Sequence, residues 1–111
     1  MVEQKRESFR VEFPRSYYPT ITLQDKSFDV FDASEFGIKF YNASDSHFIQ
    51  DKVINTTIIF PDNEQFNVKA KIVRIEKKFI SIELLEALPL SKIREQHLLL
   101  IQKFSEKKSA L

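Results

Sequence analysis

Apolar residues alternate with polar ones along most of this chain, and the alternation limits the possible folds more than any other feature. Phe9, Val11 and Phe13 are separated by charged residues, and the same pattern returns in later segments, as from Phe66 to Ile72. Residues two apart face the same side of a β-strand, so each segment can bury one face and expose the other. The sequence from Phe9 to about Leu85 is therefore predicted to form about six or seven short antiparallel strands.

Short polar segments rich in Asp, Asn and Pro separate the predicted strands: QDKS, NASDS, PDNE and EKK. These residue types favour tight turns, as expected between antiparallel neighbours. At Ile72 and Val73 two apolar residues stand side by side and the alternation changes phase. This change predicts a β-bulge, which bends a strand around a barrel corner.

The pattern changes after Leu85. Ile93, Leu100, Ile101 and Phe104 then recur at helical spacing, and His97 falls on the same side. This spacing predicts an amphipathic helix, and Pro89 suits its first turn. The fold class is therefore mainly β, a small antiparallel β-barrel with a C-terminal α-helix packed on it. Residues 1–104 are predicted to form one domain, in which residues 1–8 are a mobile segment, and residues 105–111 a frayed tail.

Composition excludes several classes of protein. The 111 residues suit a single domain, and the absence of cysteine removes disulfides and cysteine metal sites. The net charge is +1, with acids and bases interleaved, whereas a long nucleic acid selects a broad basic face. No apolar run approaches the ~20 residues that cross a bilayer. The start of the chain is too charged for a signal peptide, so the cytoplasm is the expected location.

The segment DASEFG contains the only glycine of the chain, Gly37. Within an extended segment Asp32 and Ser34 face the same way and offer a carboxylate and a hydroxyl. Glycine tolerates a positive φ and leaves no Cβ in the way of an approaching group. Two interpretations stay open, an ordinary Asx-type turn with a left-handed glycine or a ligand-binding turn.

A second candidate lies near the start of the chain, where KRESFR places Arg6 and Arg10 four residues apart, directly after Lys5. This spacing puts both guanidinium groups on one side of a helix or a strand. Two such groups can bind phosphates bidentately and stack on a planar base. The alternative is a solvated basic end that pairs with the neighbouring glutamates.

The two candidates together resemble a known family. Arg6 to Arg10 match an RxxxR motif, and Asp32 to Gly37 match a (D/N)xSxxG motif. Their order, their separation and the strands and helix that follow resemble the PilZ domain, a family of bacterial six-stranded barrels that bind cyclic di-GMP. The resemblance covers nearly the whole chain. It implies a stand-alone receptor that signals to a partner protein in the control of motility, biofilm formation or secretion.

The resemblance also implies a role for each motif residue. Arg6 and Arg10 would hold the phosphates and stack on or hydrogen-bond to guanine. Asp32 would accept hydrogen bonds from the guanine N–H edge, and Ser34 would lie near a guanine or phosphate oxygen. Gly37 would let the backbone come close to the ligand.

Two details qualify this comparison. Lys5 occupies the position before the first arginine, which in the family influences whether one ligand or a stacked pair is bound. Many members also carry a glycine in the last strand before the helix, whereas residues 79–83 contain none.

Other functions are less well supported by the residues. His47 and His97 lack the spacing of a metal site, so no metal or other cofactor is expected. No G-x-S-x-G surrounds Ser34, and an enzyme is not expected. Two rivals to the receptor remain, an adaptor that acts through protein contacts alone and a binder of single-stranded nucleic acid.

Overall fold

A computed structural model describes residues 9–109, with side chains as far as residue 103. The elements follow in this order: β1 (Arg10–Glu12), β2 (Thr20–Leu23), β3 (Lys26–Ser34), β4 (Gly37–Tyr41), β5 (Val53–Ile59), β6 (Gln65–Ile75), β7 (Phe79–Leu84) and α1 (Leu90–Ser109). A short 3-10 turn at Arg15–Tyr17 lies between β1 and β2. The predicted series of strands followed by one helix is confirmed.

Six of the strands close into an antiparallel barrel, in the order β3, β2, β5, β6, β7 and β4, with β4 paired back to β3. Strand β1 lies outside this ring and pairs with the end of β3, from Arg10 opposite Ser34 to Glu12 opposite Asp32. The predicted barrel is confirmed, with one strand added to its outside. Strands β1, β3 and β4, which carry the described motif residues, therefore lie side by side.

Two irregularities bend the strands. The pairing of β6 with β7 shifts register between Ile72 and Arg74, which confirms the bulge predicted from the sequence. A second shift, which was not predicted, lies in β3 between Val30 and Asp32. Each extra residue increases the local twist and helps the sheet to close.

The turns use the residue types that their backbones require. The loop between β2 and β3 consists of Gln24 and Asp25, whose φ values are 50° and 67°. Two positive φ angles in a two-residue loop match the twist of a hairpin, and Asp tolerates this conformation. Asn63 has a φ of 72° in the PDNE turn between β5 and β6.

The apolar faces of the strands fill the inside of the barrel and form the core. Its largest fully buried apolar side chains are Phe40, Phe60, Ile21, Ile38, Ile58, Ile72, Ile80, Ile82, Leu88 and Ile93. Burying one such side chain contributes about 1.5–3 kcal/mol, so truncation of Phe40 to alanine is expected to cost about 3–5 kcal/mol. This core explains how the domain folds without disulfides.

Helix α1 packs on β1 and β3. Ile93 and Leu100 are buried as predicted, but Ile101 is 47% exposed, so its assignment to the packed face was wrong. The packed face instead includes Lys92 and Gln96, both buried. Residue 101 lies about 100° around the helix from Leu100, beyond the edge of the contact.

The helix continues to Ser109, past residue 104, where the sequence pattern ends the domain. The domain limits and the frayed tail stay predictions. Within residues 9–109 no helix is both long and apolar enough to span a bilayer.

Candidate functional site

The bulge in β3 determines which way its motif residues face. Before the bulge Phe28 and Val30 lie in the core, and after it Ala33 does. A regular strand would continue the first phase and turn Asp32 and Ser34 into the core with Val30. The bulge reverses the phase, so the carboxylate and the hydroxyl lie on the opposite side of the strand from Ala33.

Asp32 and Arg10 form an ion pair across β1 and β3. Nη1 of Arg10 donates a hydrogen bond to Oδ1 of Asp32 over 2.5 Å. The Arg10 side chain is 50% exposed, whereas that of Asp32 is only 7% exposed. The guanidinium group therefore covers the carboxylate, while half of the Arg10 side chain stays exposed. A guanidinium group has five N–H donors, and within the described residues one of them is used by Asp32.

Ser34 organises the turn that leads into β4. Its hydroxyl accepts a hydrogen bond from the backbone N–H of Phe36 over 3.3 Å. The same hydroxyl donates to the carbonyl oxygen of Gly37 over 3.4 Å. This local bonding is typical of Ser in tight turns, and it gives Ser34 a structural role that the sequence motif does not reveal.

Gly37 begins β4 opposite Glu83, and its φ is not positive. The interpretation of Gly37 as a left-handed turn glycine is therefore wrong, because the backbone there needs no glycine. A Cβ at this position would lie 3.4 Å from the carbonyl oxygen of Ile82, 3.8 Å from Nη2 of Arg10 and 4.0 Å from Oγ of Ser34. The absent side chain leaves space in front of these groups.

Arg10, Asp32 and Gly37 line one cleft of about 450 Å³ on the outside of the barrel. Ser34 is not part of this lining, although its hydroxyl is hydrogen-bonded to Gly37. The polar and charged lining of the cleft consists of Arg10, Asp32, Lys39, Ser81 and Glu83. Gly37 and Val73 also line the cleft. A larger groove of about 640 Å³ runs along β2, β5 and β6, but none of the predicted site residues lines it.

Lys39, Ser81 and Glu83 were not predicted as site residues. Lys39 pairs in register with Asp32 on one side and with Ser81 on the other. The side chains of Asp32, Lys39 and Ser81 therefore lie on the same outer face of the sheet. The sequence contains part of this signal, since Lys39 stands between the buried Ile38 and Phe40. Strand order, which brings β7 beside β4, was needed to find the other two.

The remaining predicted residues lie outside the cleft or outside the described part of the chain. Lys5 and Arg6 belong to residues 1–8, which the structure does not describe. His47 is exposed, and His97 is half-buried with its ring edge-on to Phe9, 4.8 Å between centroids. Within the described residues, no group of three His, Asp or Glu side chains is placed to hold a metal ion.

An aromatic cluster borders the cleft on the side of Lys39. The ring of Phe31, at the bulge, lies 5.6 Å from that of Tyr41 and 5.4 Å from that of Phe79. The hydroxyls of Tyr18 and Tyr41 are 3.1 Å apart. This hydrogen bond, with a contribution from burial, raises the pKa of Tyr41 from its usual value of 10.0 to about 12.

No protein-family model matches this chain, and no curated protein matches it. Several solved structures have a similar fold. The PilZ domain of YcgR from Escherichia coli, with c-di-GMP, has a TM-score of 0.70 at 16% identity, covering 97% of this chain and 100% of that one. YcgR from Escherichia coli in complex with c-di-GMP has a TM-score of 0.71 at 18% identity, over 96% of this chain and 50% of that one.

The Bacillus subtilis inhibitor of motility, MotI/DgrA, has a TM-score of 0.67 at 19% identity, over 86% of this chain and 52% of that one. The chain thus spans about half the length of YcgR and of MotI/DgrA. At these identities the comparison concerns the fold. The barrel with its C-terminal helix matches the isolated domain of YcgR from end to end, and this chain has the fold of a PilZ domain.

Proposed function

We propose that this protein is a receptor for cyclic di-GMP. The observation that carries the proposal is the meeting of Arg10, Asp32 and Gly37, from three different strands, in the lining of one cleft, with Ser34 hydrogen-bonded to Gly37. These are the four described members of the RxxxR and (D/N)xSxxG motifs. The YcgR domain that shares the fold contains c-di-GMP in its structure, which supports the same ligand class here.

The ion pair suggests how the ligand enters. Asp32 is almost fully covered, and its Oδ1 already accepts a hydrogen bond from Arg10. A guanine N–H edge reaches this carboxylate only when the guanidinium group moves aside. Arg10 is then released to bind a phosphate or to stack on the base, so one displacement exposes the acceptor and frees the donor.

Residues 1–8 complete this proposal. Arg6 would bind the second phosphate or a guanine, and Lys5 would influence whether one ligand or a stacked pair is bound. Fixing these residues on the ligand would cost conformational entropy, which the charge-assisted contacts would offset. The receptor would act without catalysis in the bacterial cytoplasm and signal to a partner protein in the control of motility, biofilm formation or secretion.

Calorimetric titration of the purified protein tests the proposal. Cyclic di-GMP should bind saturably and give the stoichiometry directly. GMP should bind much more weakly, because a single base and phosphate cannot reach both motifs. Equal affinity for a linear single-stranded oligonucleotide would favour the nucleic-acid binder, and no heat with any nucleotide would favour the adaptor.

A further inference from the structure

Lys39 belongs to neither motif, yet its side chain lies on the outer face of β4 within the cleft. It is the direct register partner of Asp32 on β3 and of Ser81 on β7. Cross-strand neighbours of this kind have their Cβ atoms about 5 Å apart. A group bound above Gly37 is therefore within reach of the Lys39 ammonium as well as of Arg10.

The charges that line the cleft make this lysine important. Among the described residues, two positive side chains line the cleft, Arg10 and Lys39, and two negative ones, Asp32 and Glu83. The net charge of this lining is therefore zero. Arg10 is already paired with Asp32. Lys39 forms no ion pair with a carboxylate of residues 9–103, and so its charge is available to an anion.

The ammonium group instead rests on aromatic rings. Nζ of Lys39 lies 5.2 Å from the ring centroid of Phe79 and 5.9 Å from that of Phe31. A cation–π contact at a partly exposed site is weaker than a charge-assisted hydrogen bond to a phosphate oxygen. The side chain can therefore exchange the rings for a phosphate without breaking an ion pair.

We propose that Lys39 is a phosphate-binding residue of this site, and that it leaves the faces of Phe31 and Phe79 when the cyclic dinucleotide binds. The inference rests on the proposed function. The ligand carries two phosphates, and Lys39 supplies a second cation on β4, two residues along the strand from Gly37. Its departure uncovers two aromatic rings beside the occupied site.

The variant Lys39→Met tests the charge while keeping a long side chain that still packs on the rings. Lys69→Met is the matched control, because Lys69 is an exposed lysine that lines the separate groove along β2, β5 and β6. Calorimetric titration should show binding of cyclic di-GMP weakened roughly tenfold or more in Lys39→Met. Lys69→Met should bind like the parent, and both should keep the parent melting temperature.

NMR supplies a readout that a change in stability does not affect. In the free protein, ring currents should shift the ε protons of Lys39 upfield, and saturating cyclic di-GMP should move them towards the position of a solvated lysine. If Lys39→Met binds like the parent, or if the ε protons do not move at saturation, the role of Lys39 is wrong and the receptor stands. If the parent protein does not bind cyclic di-GMP, both proposals are overturned.

Discussion

Gly37 has an ordinary backbone conformation, so a larger residue at this position should fill space in the cleft without straining the backbone. Gly37→Ala places a methyl group at van der Waals distance from the Ile82 carbonyl, Arg10 and Ser34. The fold should accept it, with stability unchanged or raised by about 0.4–1 kcal/mol from the stiffer unfolded chain. Affinity for cyclic di-GMP should fall roughly tenfold, because the methyl group stands in the cleft.

Thermal unfolding and calorimetric titration of this variant separate the two effects. A large drop in melting temperature would show that the backbone needs glycine after all. Unchanged affinity would show that the ligand does not approach the main chain at Gly37.

Arg10 is half-exposed and paired with one carboxylate, so its removal should affect binding far more than folding. Charge-assisted hydrogen bonds contribute about 1.5–3 kcal/mol, and Arg10→Ala should therefore weaken binding of cyclic di-GMP by roughly 10- to 150-fold. The pair is exposed only on the Arg10 side, and removal of the guanidinium group also opens Asp32 to water, so the loss of stability should stay near about 1 kcal/mol. Arg15→Ala is the control, because Arg15 is exposed and does not line the cleft. Equal affinities of the two variants in calorimetry would mean that Arg10 does not contact the ligand.

At the scale of single elements, the buried Lys92 of helix α1 forms ion pairs with the turn between β5 and β6. Nζ of Lys92 lies 2.5 Å from Asp62, 2.6 Å from Glu64 and 3.2 Å from Glu95. Burial alone would lower the pKa of Lys92, but hydrogen bonds to the three carboxylates outweigh it and raise the pKa above its usual value. The hydrogen bond from Lys92 is also the main reason why the pKa of Asp62 is lowered.

This network predicts an acid-sensitive contribution to stability. Because the pKa of Asp62 is lowered by folding, its contribution is present above the ordinary value of 3.8 and is lost as the pH falls through the folded-state pKa. Lys92→Met should lower stability by roughly 2 kcal/mol at pH 7, since it leaves the carboxylates without their cation. Thermal unfolding from pH 7 to pH 3 should show a smaller decline for Lys92→Met than for the parent. Parallel pH profiles would exclude the network as the cause.

The same helix shows where reading the sequence fails. Apolar spacing correctly placed Ile93 and Leu100, but it overlooked Lys92 and Gln96, which occupy the packed face although their side chains are polar. Lys92 can be buried only because Asp62 and Glu64 come from the β5–β6 turn, some thirty residues away along the chain. Pairings over such a distance leave no periodic signal. The amide of Gln96 is buried without a hydrogen-bond partner in the described structure, and no sequence rule anticipates that cost.

The bulge of β3 leaves a partial signal in the sequence. Phe28 and Val30 alternate in one phase and Ala33 follows in the other, which marks an extra residue in the same way as the predicted bulge of β6. Ala33 is too small to stand out as a core residue, so the phase change was missed. Asp32 and Ser34 were identified from their motif, whereas Lys39, Ser81 and Glu83 depended on which strands become neighbours.

At the scale of the whole molecule, a ligand that binds only the folded state must raise the melting temperature. At a free concentration of one hundred times Kd, cyclic di-GMP should add about 2.7 kcal/mol to the free energy of unfolding. For a domain of this size that corresponds to a rise of roughly 10 °C, which scanning fluorimetry or calorimetry can measure. GMP at the same concentration should produce little change. A rise of equal size with GMP would contradict the need for two linked nucleotides.

Closure of the barrel has a consequence for colloidal behaviour. Every strand of the six-membered ring pairs with a neighbour on both sides along part of its length, and among the described strands only β1 has a neighbour on one side alone. Strand β1 is three residues long and has charged, exposed side chains at both ends. An edge this short and charged is a poor template for another chain. The folded protein should therefore resist edge-to-edge aggregation even at high concentration, despite the large share of β-structure in its chain.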